Sequence, residues 1–229
     1  MKKEIIVISL GGSLIIPEIV DPKFLEKFKK TLRNLYKTHK FVVVCGGGTI
    51  ARKYIAILKE DHQSNKSLSI AGIRATRENA RFMIQLFGED ANDYLPKNMK
   101  EVKSHLKKNS TVFCGALRYS RKATSDATAV KLAHFLKTYF INITDVDGLY
   151  TKNPIKFKDA KLIPKISWKE FEKMALKSKY LPGQHFVLDQ SAAILIRKYR
   201  IPTYIIGKDL NNLERILKGK KFNGTIIKD

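Results

Sequence analysis

One pattern recurs along the chain and restricts the folds open to it: a short apolar run ends in glycine, and a segment with helical periodicity follows. Three such runs with their turns are residues 4–10 before Gly11, Gly12 and Ser13, residues 41–45 before Gly46, Gly47 and Gly48, and residues 111–114 before Gly115. Alternating strands and helices predict an α/β fold. We expect a three-layer αβα sandwich in which helices cover both faces of a largely parallel sheet.

The rest of the chain continues this alternation. Helices are predicted over residues 22–35, 50–58, 68–87, 125–137, 168–177, 187–200 and 210–218, and further strands over residues 139–144, 203–206 and 225–227. Asp21 and Pro22 are typical of a helix N-cap and a first helical position. No repeat or low-complexity tract divides the sequence, and only a soft boundary falls near residues 139–147. We therefore expect a single domain over residues 1–229, with ligands in the crevice outside the carboxyl ends of the strands.

Composition excludes several classes of protein. With 229 residues, 44% of them hydrophobic, the chain can bury a sizeable core. Charged residues interrupt every apolar run, so no segment has the roughly 18 apolar residues of a membrane span. The apolar run after Met1 enters a glycine turn without a cleavage site, which indicates a first strand and not a signal peptide. Cys45 and Cys114 each lie inside an apolar run, which predicts buried thiols and a cytoplasmic location.

The chain carries a formal net charge of +23. Such a charge attracts phosphorylated ligands or nucleic acid. Most lysines, however, lie on predicted helix faces, where they solvate the surface. Aromatic residues do not alternate with the basic ones, so the stacking platforms of a single-strand binder are not evident. Nucleic acid is accordingly the weaker expectation.

The glycine turns indicate phosphate binding. Glycine lets the backbone approach a phosphate closely, and the helix that follows presents unpaired N–H groups. A P-loop is excluded because no G-x-x-x-x-G-K-[ST] occurs. Residues 46–51 fit the loose dinucleotide pattern G-x-G-x-x-A, but a helical segment stands where the acidic second strand is expected. The turns predict a polyphosphate site without nicotinamide chemistry.

The most specific stretch is T-D-V-D-G-L-Y-T-K-N-P at residues 144–154. Further matches, in order along nearly the whole chain, are residues 7–13, 46–48 with 51–54, 76–80, 124–127, 187–189 with 192–193, and 223–225. With these motifs the chain resembles the amino acid kinase superfamily, most closely its archaeal-type uridylate kinase branch. The family pattern T-N-V-D-G-V-Y-x-x-D-P is kept, with Asp145 in place of Asn and Asn153 in place of Asp.

The resemblance implies that ATP lies across the carboxyl ends of the sheet. By this likeness residues 141–229 form the ATP-binding lobe, and residues 1–140 form the lobe that binds the acceptor, UMP. The implied ATP-binding residues are Ser9, Leu10, Gly11, Gly12, Ser13, Gly47, Arg52, Thr144, Asp145, Tyr150 and Asn153. The implied UMP-binding residues are Gly46, Ser69, Gly115, Ala116, Leu117, Arg118, Tyr119 and Thr124.

The implied reaction is in-line transfer of the ATP γ-phosphate, which needs positioning and charge neutralisation more than covalent help. Arg52, Asp126 and Asp189 are the expected catalytic residues. Arg52 supplies charge, and the two aspartates organise cations or Mg²⁺ with its waters. For both aspartates the competing interpretation is helix capping. No protein metal site is expected, and His185 is interpreted as a loop residue, not a general base.

Three departures from the family pattern concern the acceptor. Many superfamily members place a lysine at the position of Ser9, and relatives carry an aspartate at that of Ser69, which accepts hydrogen bonds from the ribose hydroxyls of UMP. The loop from Gly115 to Asp126 is about three residues longer than the usual one and carries added cations. Arg52, Lys53 and Arg118 are candidates to replace the missing lysine.

UMP kinase is the leading interpretation. The alternatives are a sister kinase of the same fold with another phosphorylated or carboxylate acceptor, and a non-catalytic nucleotide sensor. The resemblance also implies Mg²⁺ with ATP and a homo-oligomer, often a hexamer. Isopentenyl phosphate kinase is the nearest rival in chemistry, but its histidine after the second glycine cluster is replaced here by Thr49, Ile50 and Ala51.

Overall fold

The computed structural model describes residues 3–19, 21–117, 119, 124–177 and 187–229. The strands are β1 (Glu4–Leu10), β2 (His39–Cys45), β3 (Thr111–Cys114), β4 (Phe140–Ile143), β5 (Lys165–Ile166), β6 (Thr203–Ile206) and β7 (Thr225–Ile227). The helices are α1 (Gly12–Ile15), α2 (Pro22–Leu35), α3 (Gly48–Glu60), α4 (Asn65–Phe87), α5 (Met99–Lys108), α6 (Ser125–Leu136), α7 (Trp168–Lys177), α8 (Gln190–Tyr199) and α9 (Asn211–Leu217). A short 3₁₀ turn, Gly88–Asp90, follows α4.

The strands form one sheet in the order β3-β2-β1-β4-β6-β7-β5. From β3 to β6 every neighbouring pair is parallel, whereas β7 runs antiparallel to β6, and β5 is parallel to β7. The carboxyl ends of β3, β2, β1, β4 and β6 therefore lie at one edge of the sheet. This edge collects all three glycine turns.

Two apolar clusters fill the space between the sheet and its helices. Strand β1 contributes to both because its side chains alternate: Ile6 and Ile8 join one cluster, and Val7 joins the other. The first cluster contains apolar residues of α2, α4 and α9, and the second contains those of α5, α6, α7 and α8. The expected three-layer arrangement is confirmed.

The predicted elements are present with small changes at their ends. The helix expected from residue 187 begins at Gln190, and Asp21 occupies the N-cap of α2 without a side-chain capping bond. The sequence reading did not resolve α1, α5 or β5, and it did not foresee the antiparallel β7. Strand β5 has only two residues, too few to show a period. The direction of β7, which lies between β6 and β5, depends on how the chain returns to the sheet after α9.

The two cysteines are free and fully buried, as expected from the apolar runs around them. Burial raises the pKa of both thiols, and the pKa of Cys114 reaches about 12. Both are therefore protonated and unreactive at neutral pH. Within the described ranges, no helix has the length and apolar character that crossing a bilayer requires.

The outer edge of β3 is covered by a side chain instead of a strand. Asn92 Oδ1 accepts from the backbone N–H of Phe113 at 2.7 Å, and its Nδ2 donates to the Phe113 carbonyl at 3.1 Å and to the Tyr94 carbonyl at 2.7 Å. Asn92 is almost fully buried. Its amide therefore supplies hydrogen-bond partners for backbone groups at the edge of β3, as a neighbouring strand would, and fixes the strand that precedes Gly115.

We expect Asn92→Ala to lower the free energy of unfolding by about 3 kcal/mol, because it leaves buried backbone groups of β3 without partners. Urea unfolding followed by circular dichroism measures this loss. The matched control is Asn34→Ala on the exposed face of α2, which should change stability by less than about 0.5 kcal/mol. Equal losses for the two variants would contradict the role of Asn92.

Candidate active site

The first two glycine turns pack against each other through their backbones. A Cβ on Gly12 would lie 2.2 Å from the backbone N of Gly48, and a Cβ on Gly48 would lie 2.4 Å from the carbonyl carbon of Gly12. Gly48 also has a φ of +59°, which disfavours any other residue. Both positions therefore require glycine. Since α3 begins at Gly48, this contact sets a long helix at the end of β2, with its amino terminus at the edge of the sheet.

The third turn packs against α4. A Cβ on Gly115 would lie 2.6 Å from Thr76 Oγ1 and 2.7 Å from the backbone N of Arg77. The next residue continues the contact, because the Ala116 N–H donates to Thr76 Oγ1 at 3.0 Å. The loop after β3 therefore begins on the surface of α4, beside the turn after β2.

Two carboxylates and two hydroxyl groups form a cluster beneath these turns. Ser9 Oγ donates to Asp126 Oδ1 at 2.8 Å, and Thr124 Oγ1 donates to Asp189 Oδ2 at 2.5 Å. The alternation of β1 places Ser9 on the same face as Val7, toward α6 and α8. In the part of the chain that the structure describes, neither aspartate has an ion-pair partner. We call these four residues the carboxylate cluster.

The helix termini explain how the carboxylate cluster is held. Thr124 is the N-cap of α6 and accepts from the Ala127 N–H, so the capping interpretation for Asp126 is wrong. Asp126 lies in the first turn of that helix, where a negative charge is favoured. Asp189 is the N-cap of α8, accepting from the Ala192 N–H through Oδ1. For Asp189 the capping interpretation is confirmed, and its second oxygen, Oδ2, accepts the hydrogen bond from Thr124.

Electrostatics within the cluster change the titration of one aspartate. Burial raises the pKa of Asp126 to about 7, the neighbouring Asp189 carboxylate adds to this rise, and the hydrogen bond from Ser9 opposes it. Two carboxylates at close range favour holding one proton between them in the absence of a cation. The same excess of negative charge attracts a cation when one is present.

Residues 144–153 leave the end of β4 beside β6. Thr144 extends the ladder, with its N–H donating to the Ile206 carbonyl, and its hydroxyl donates to Asp145 Oδ1 at 3.1 Å. Tyr150 forms an isolated antiparallel bridge with Leu162 and is only partly buried, so it is not a core aromatic. Asn153 Oδ1 accepts from the Ile155 N–H. The segment places backbone groups and an exposed carboxylate at the same sheet edge as the glycine turns.

The other predicted site residues flank this edge, and their side chains bond within their own segments. Arg52 is exposed on α3 and donates to Thr49 Oγ1 at 2.9 Å, and Ser69 on α4 donates to the Asn65 carbonyl at 2.8 Å. Tyr119 is exposed. The structure thus brings together the glycine turns and the carboxylate cluster, but no described contact joins Arg52, Ser69 or Tyr119 to them.

Some predicted residues offer only their backbone. The side chains of Leu10, Ala116 and Leu117 are buried, and Leu10 contributes its carbonyl to the Gly46 N–H. Ser13 lies within α1, and Gly11 donates its N–H to the Ile143 carbonyl. Arg118 and His185 lie outside the described residues.

Sequence reasoning assigned no role to three polar residues of α4. Thr76 accepts from the loop after β3, Arg77 donates to that loop, and Asn79 Nδ2 donates to the Gly46 carbonyl at 2.7 Å. The sequence signal that could have identified them is polar residues on the apolar face of an amphipathic helix, where Thr76 and Asn79 are almost fully buried.

The raised pKa of Asp126 predicts a pH dependence of stability. Because the folded-state value of about 7 lies above that of an unfolded aspartate, about 3.9, the contribution is present below pH 4 and is lost as pH rises through 7. We expect the stability of Asp126→Asn relative to the unsubstituted protein to increase between pH 5 and pH 8, as measured by urea unfolding.

The control for this experiment is Asp93→Asn, which removes an exposed carboxylate. Its stability relative to the unsubstituted protein should stay constant over the same range. If Asp126→Asn also gave a constant difference, the pKa of Asp126 would not be raised as its burial beside Asp189 indicates.

Comparison with known proteins identifies the family of the chain. A model of the amino acid kinase family matches residues 4–207. A uridylate kinase of Thermococcus kodakarensis is 32% identical over 224 residues, which cover 97% of this chain and 98% of the relative. A uridylate kinase of Thermoplasma volcanium is 33% identical over 227 residues, covering 99% and 98%.

Solved structures agree as well. The crystal structure of uridylate kinase from Archaeoglobus fulgidus aligns with a TM-score of 0.84 at 31% identity, covering 98% of this chain and 99% of that one. A UMP kinase from Bacillus anthracis aligns with a TM-score of 0.80 at 20% identity, which supports the fold alone. The match of the family model over most of the sequence, together with full-length relatives above 30% identity, shows that the chain belongs to the amino acid kinase family.

Proposed function

We propose that the protein is a phosphotransferase that passes the γ-phosphate of ATP to UMP, giving ADP and UDP. The observation that carries this proposal is the meeting of three glycine turns with the carboxylate cluster at one edge of the sheet. Close backbone approach without side chains suits phosphate groups, and the carboxylates suit the cation that accompanies them. The uridylate kinase relatives supply the identity of the acceptor.

In this proposal the donor and acceptor lie at adjacent strand ends. ATP phosphates lie along Gly11, Gly12 and Gly47, and its nucleoside end faces residues 144–153. An oxygen of the UMP phosphate attacks the γ-phosphorus while the bond to the β,γ-bridging oxygen breaks. The attacking oxygen is already ionised, so no general base is needed. The protein's task is to hold both phosphates in line and to neutralise their charge.

The carboxylate cluster fits Mg²⁺, which prefers oxygen ligands and binds through one or two carboxylates plus substrate phosphates. No cluster of three or more potential ligating side chains occurs among the described residues, so an ion held here would need further ligands from the substrates or from water. Asp126 and Asp189 are the residues that would hold the ion, and Mg²⁺ would supply charge neutralisation at the phosphates. Ser9 and Thr124 orient the carboxylate oxygens through their hydrogen bonds.

The acceptor lies against Gly46, the backbone of residues 115–117, and the exposed ring of Tyr119. Ser69 contributes a weak contact because its proton is already donated to the Asn65 carbonyl, so only its lone pairs remain for a ribose hydroxyl. A neutral serine offers less than a charged aspartate. We therefore expect phosphate recognition to dominate acceptor binding.

We further propose a division into two lobes and a homo-oligomeric assembly. Residues 1–140 form the acceptor lobe and residues 141–229 the ATP lobe of a cytoplasmic enzyme. The protein assembles as a homo-oligomer, because α3 exposes Tyr54 and Ile57 on its outer face, where a second copy can cover them. Sedimentation velocity tests this assembly, and a monomer at micromolar concentration would contradict it.

The proposed activity is tested by a screen of phosphate acceptors with ATP and Mg²⁺, with ADP release as the readout. We expect UMP to be phosphorylated at least about tenfold faster than CMP, AMP, carbamate, N-acetylglutamate and isopentenyl phosphate. Equal or faster turnover of another acceptor would assign the protein to a sister activity. Nucleotide binding without turnover of any acceptor would indicate a sensor.

Arg52 provides a second test because it is an exposed cation one turn into α3, with a single described bond to Thr49. We expect Arg52→Ala to lower kcat about 100-fold, as for loss of a cation that acts on the transition state. Lys59→Ala near the end of the same helix removes an equal charge and should leave kcat within about twofold. An unchanged kcat in Arg52→Ala would remove Arg52 from the site.

A further inference from the structure

Helix α4 fastens two of the three glycine turns. Asn79 holds the Gly46 carbonyl, Thr76 accepts from the Ala116 N–H, and Arg77 reaches the loop beyond. Arg77 Nε donates to the Ala116 carbonyl at 3.0 Å, and Nη2 donates to the Leu117 carbonyl at 2.7 Å. One guanidinium group therefore donates hydrogen bonds to two successive carbonyls at the start of the loop.

The charge of Arg77 is not used in an ion pair within the described part of the chain. The adjacent carboxylate, Glu78, pairs instead with Arg81 at 2.7 Å on the exposed side of the helix. Arg77 is half-buried, so a positive charge is held beneath the loop with only carbonyl oxygens as described partners. A partly desolvated, uncompensated cation costs free energy unless an anion comes near it.

The hydrogen bonds from Arg77 lie at the start of the loop that the proposed function assigns to the acceptor. Gly115 to Leu117 are the described residues that lead from β3 toward Tyr119, and in the proposed function their backbone lines the acceptor. Gly115 itself has no freedom to move toward α4, because a side chain there would already overlap Thr76. The two carbonyls held by Arg77 thus fix where the acceptor loop departs.

We propose that Arg77 is the positioning residue of the acceptor site. Its forked guanidinium fixes the backbone of residues 116–117. Its charge, which has no ion-pair partner among the described residues, favours binding of the acceptor phosphate. Lysine does not replace it, because an ammonium group lacks the planar fork that reaches two carbonyls at once. This inference rests on the proposed function, since it assigns the acceptor to this loop.

Calorimetric titration of Arg77→Ala and Arg77→Lys with UMP and, separately, with a non-hydrolysable ATP analogue tests the inference. We expect both variants to bind UMP about tenfold more weakly, because charge-assisted hydrogen bonds are lost. Affinity for the ATP analogue should stay within about twofold. Arg77→Lys restores the charge but not the fork, so recovery of UMP affinity in that variant would overturn the role of geometry.

Hydrogen exchange gives a readout that needs no ligand. The Ala116 amide is protected by Thr76, and loosening of the loop in Arg77→Ala should raise its exchange rate by about tenfold or more. The control is Arg81→Ala, which removes the same charge one turn further along the exposed face and should alter neither measurement.

The outcomes separate this inference from the proposed function. If the unsubstituted protein binds no UMP, the proposed function fails, whatever the variants do. If it binds UMP and Arg77→Ala binds it equally well, the positioning role fails while the function stands. Faster exchange with unchanged UMP affinity would mean that Arg77 only stabilises the loop, and equal weakening of both ligands would exclude an acceptor-specific role.

Discussion

The contact between the backbones of Gly12 and Gly48 is the constraint on which the rest of the site depends. Adjacent parallel strands end only a strand spacing apart, so their turns must either diverge or do without side chains. Here they do without them, and Gly46 and Gly11 continue the sheet hydrogen bonds past the strand ends. The result is a stretch of bare backbone beside the amino terminus of α3. A polyphosphate can approach such a surface more closely than one that carries side chains.

The carboxylate cluster complements this surface with the opposite charge. Because side chains alternate between the two faces of β1, Ser9 faces α6 and α8. The amino-terminal ends of those helices bring Asp126 and Asp189 together. A hydroxyl group donates a hydrogen bond to one oxygen of each aspartate, and no cationic side chain among the described residues pairs with either carboxylate. Burial and the neighbouring Asp189 carboxylate raise the pKa of Asp126, because both disfavour its charged form. A site that is short of positive charge suits the proposed reaction, in which a cation would arrive with the nucleotide.

Helix α4 links these features to the loop after β3, which the proposed function assigns to the acceptor. Its buried polar residues hold the turns after β2 and β3 at a fixed separation, with Asn79 on Gly46 and Thr76 on Ala116. Asn92 holds β3 itself from the outer edge. The second and third turns are therefore positioned by side chains from elsewhere in the chain, whereas the first two position each other. This difference makes the position of the loop after β3 dependent on a few hydrogen bonds.

The sequence by itself determined the alternation of strands and helices, the three glycine turns and the family, because apolar period, turn residues and motif order are local properties. It did not reveal that β7 would run antiparallel, that Ser9 would bond to Asp126, or that Arg77 would bond to the loop after β3. The two hydrogen bonds join residues far apart in the chain, with 39 positions between Arg77 and Ala116 and 117 between Ser9 and Asp126. Only the packing of the sheet and its helices brings such pairs within hydrogen-bond distance, so only the tertiary structure decided them.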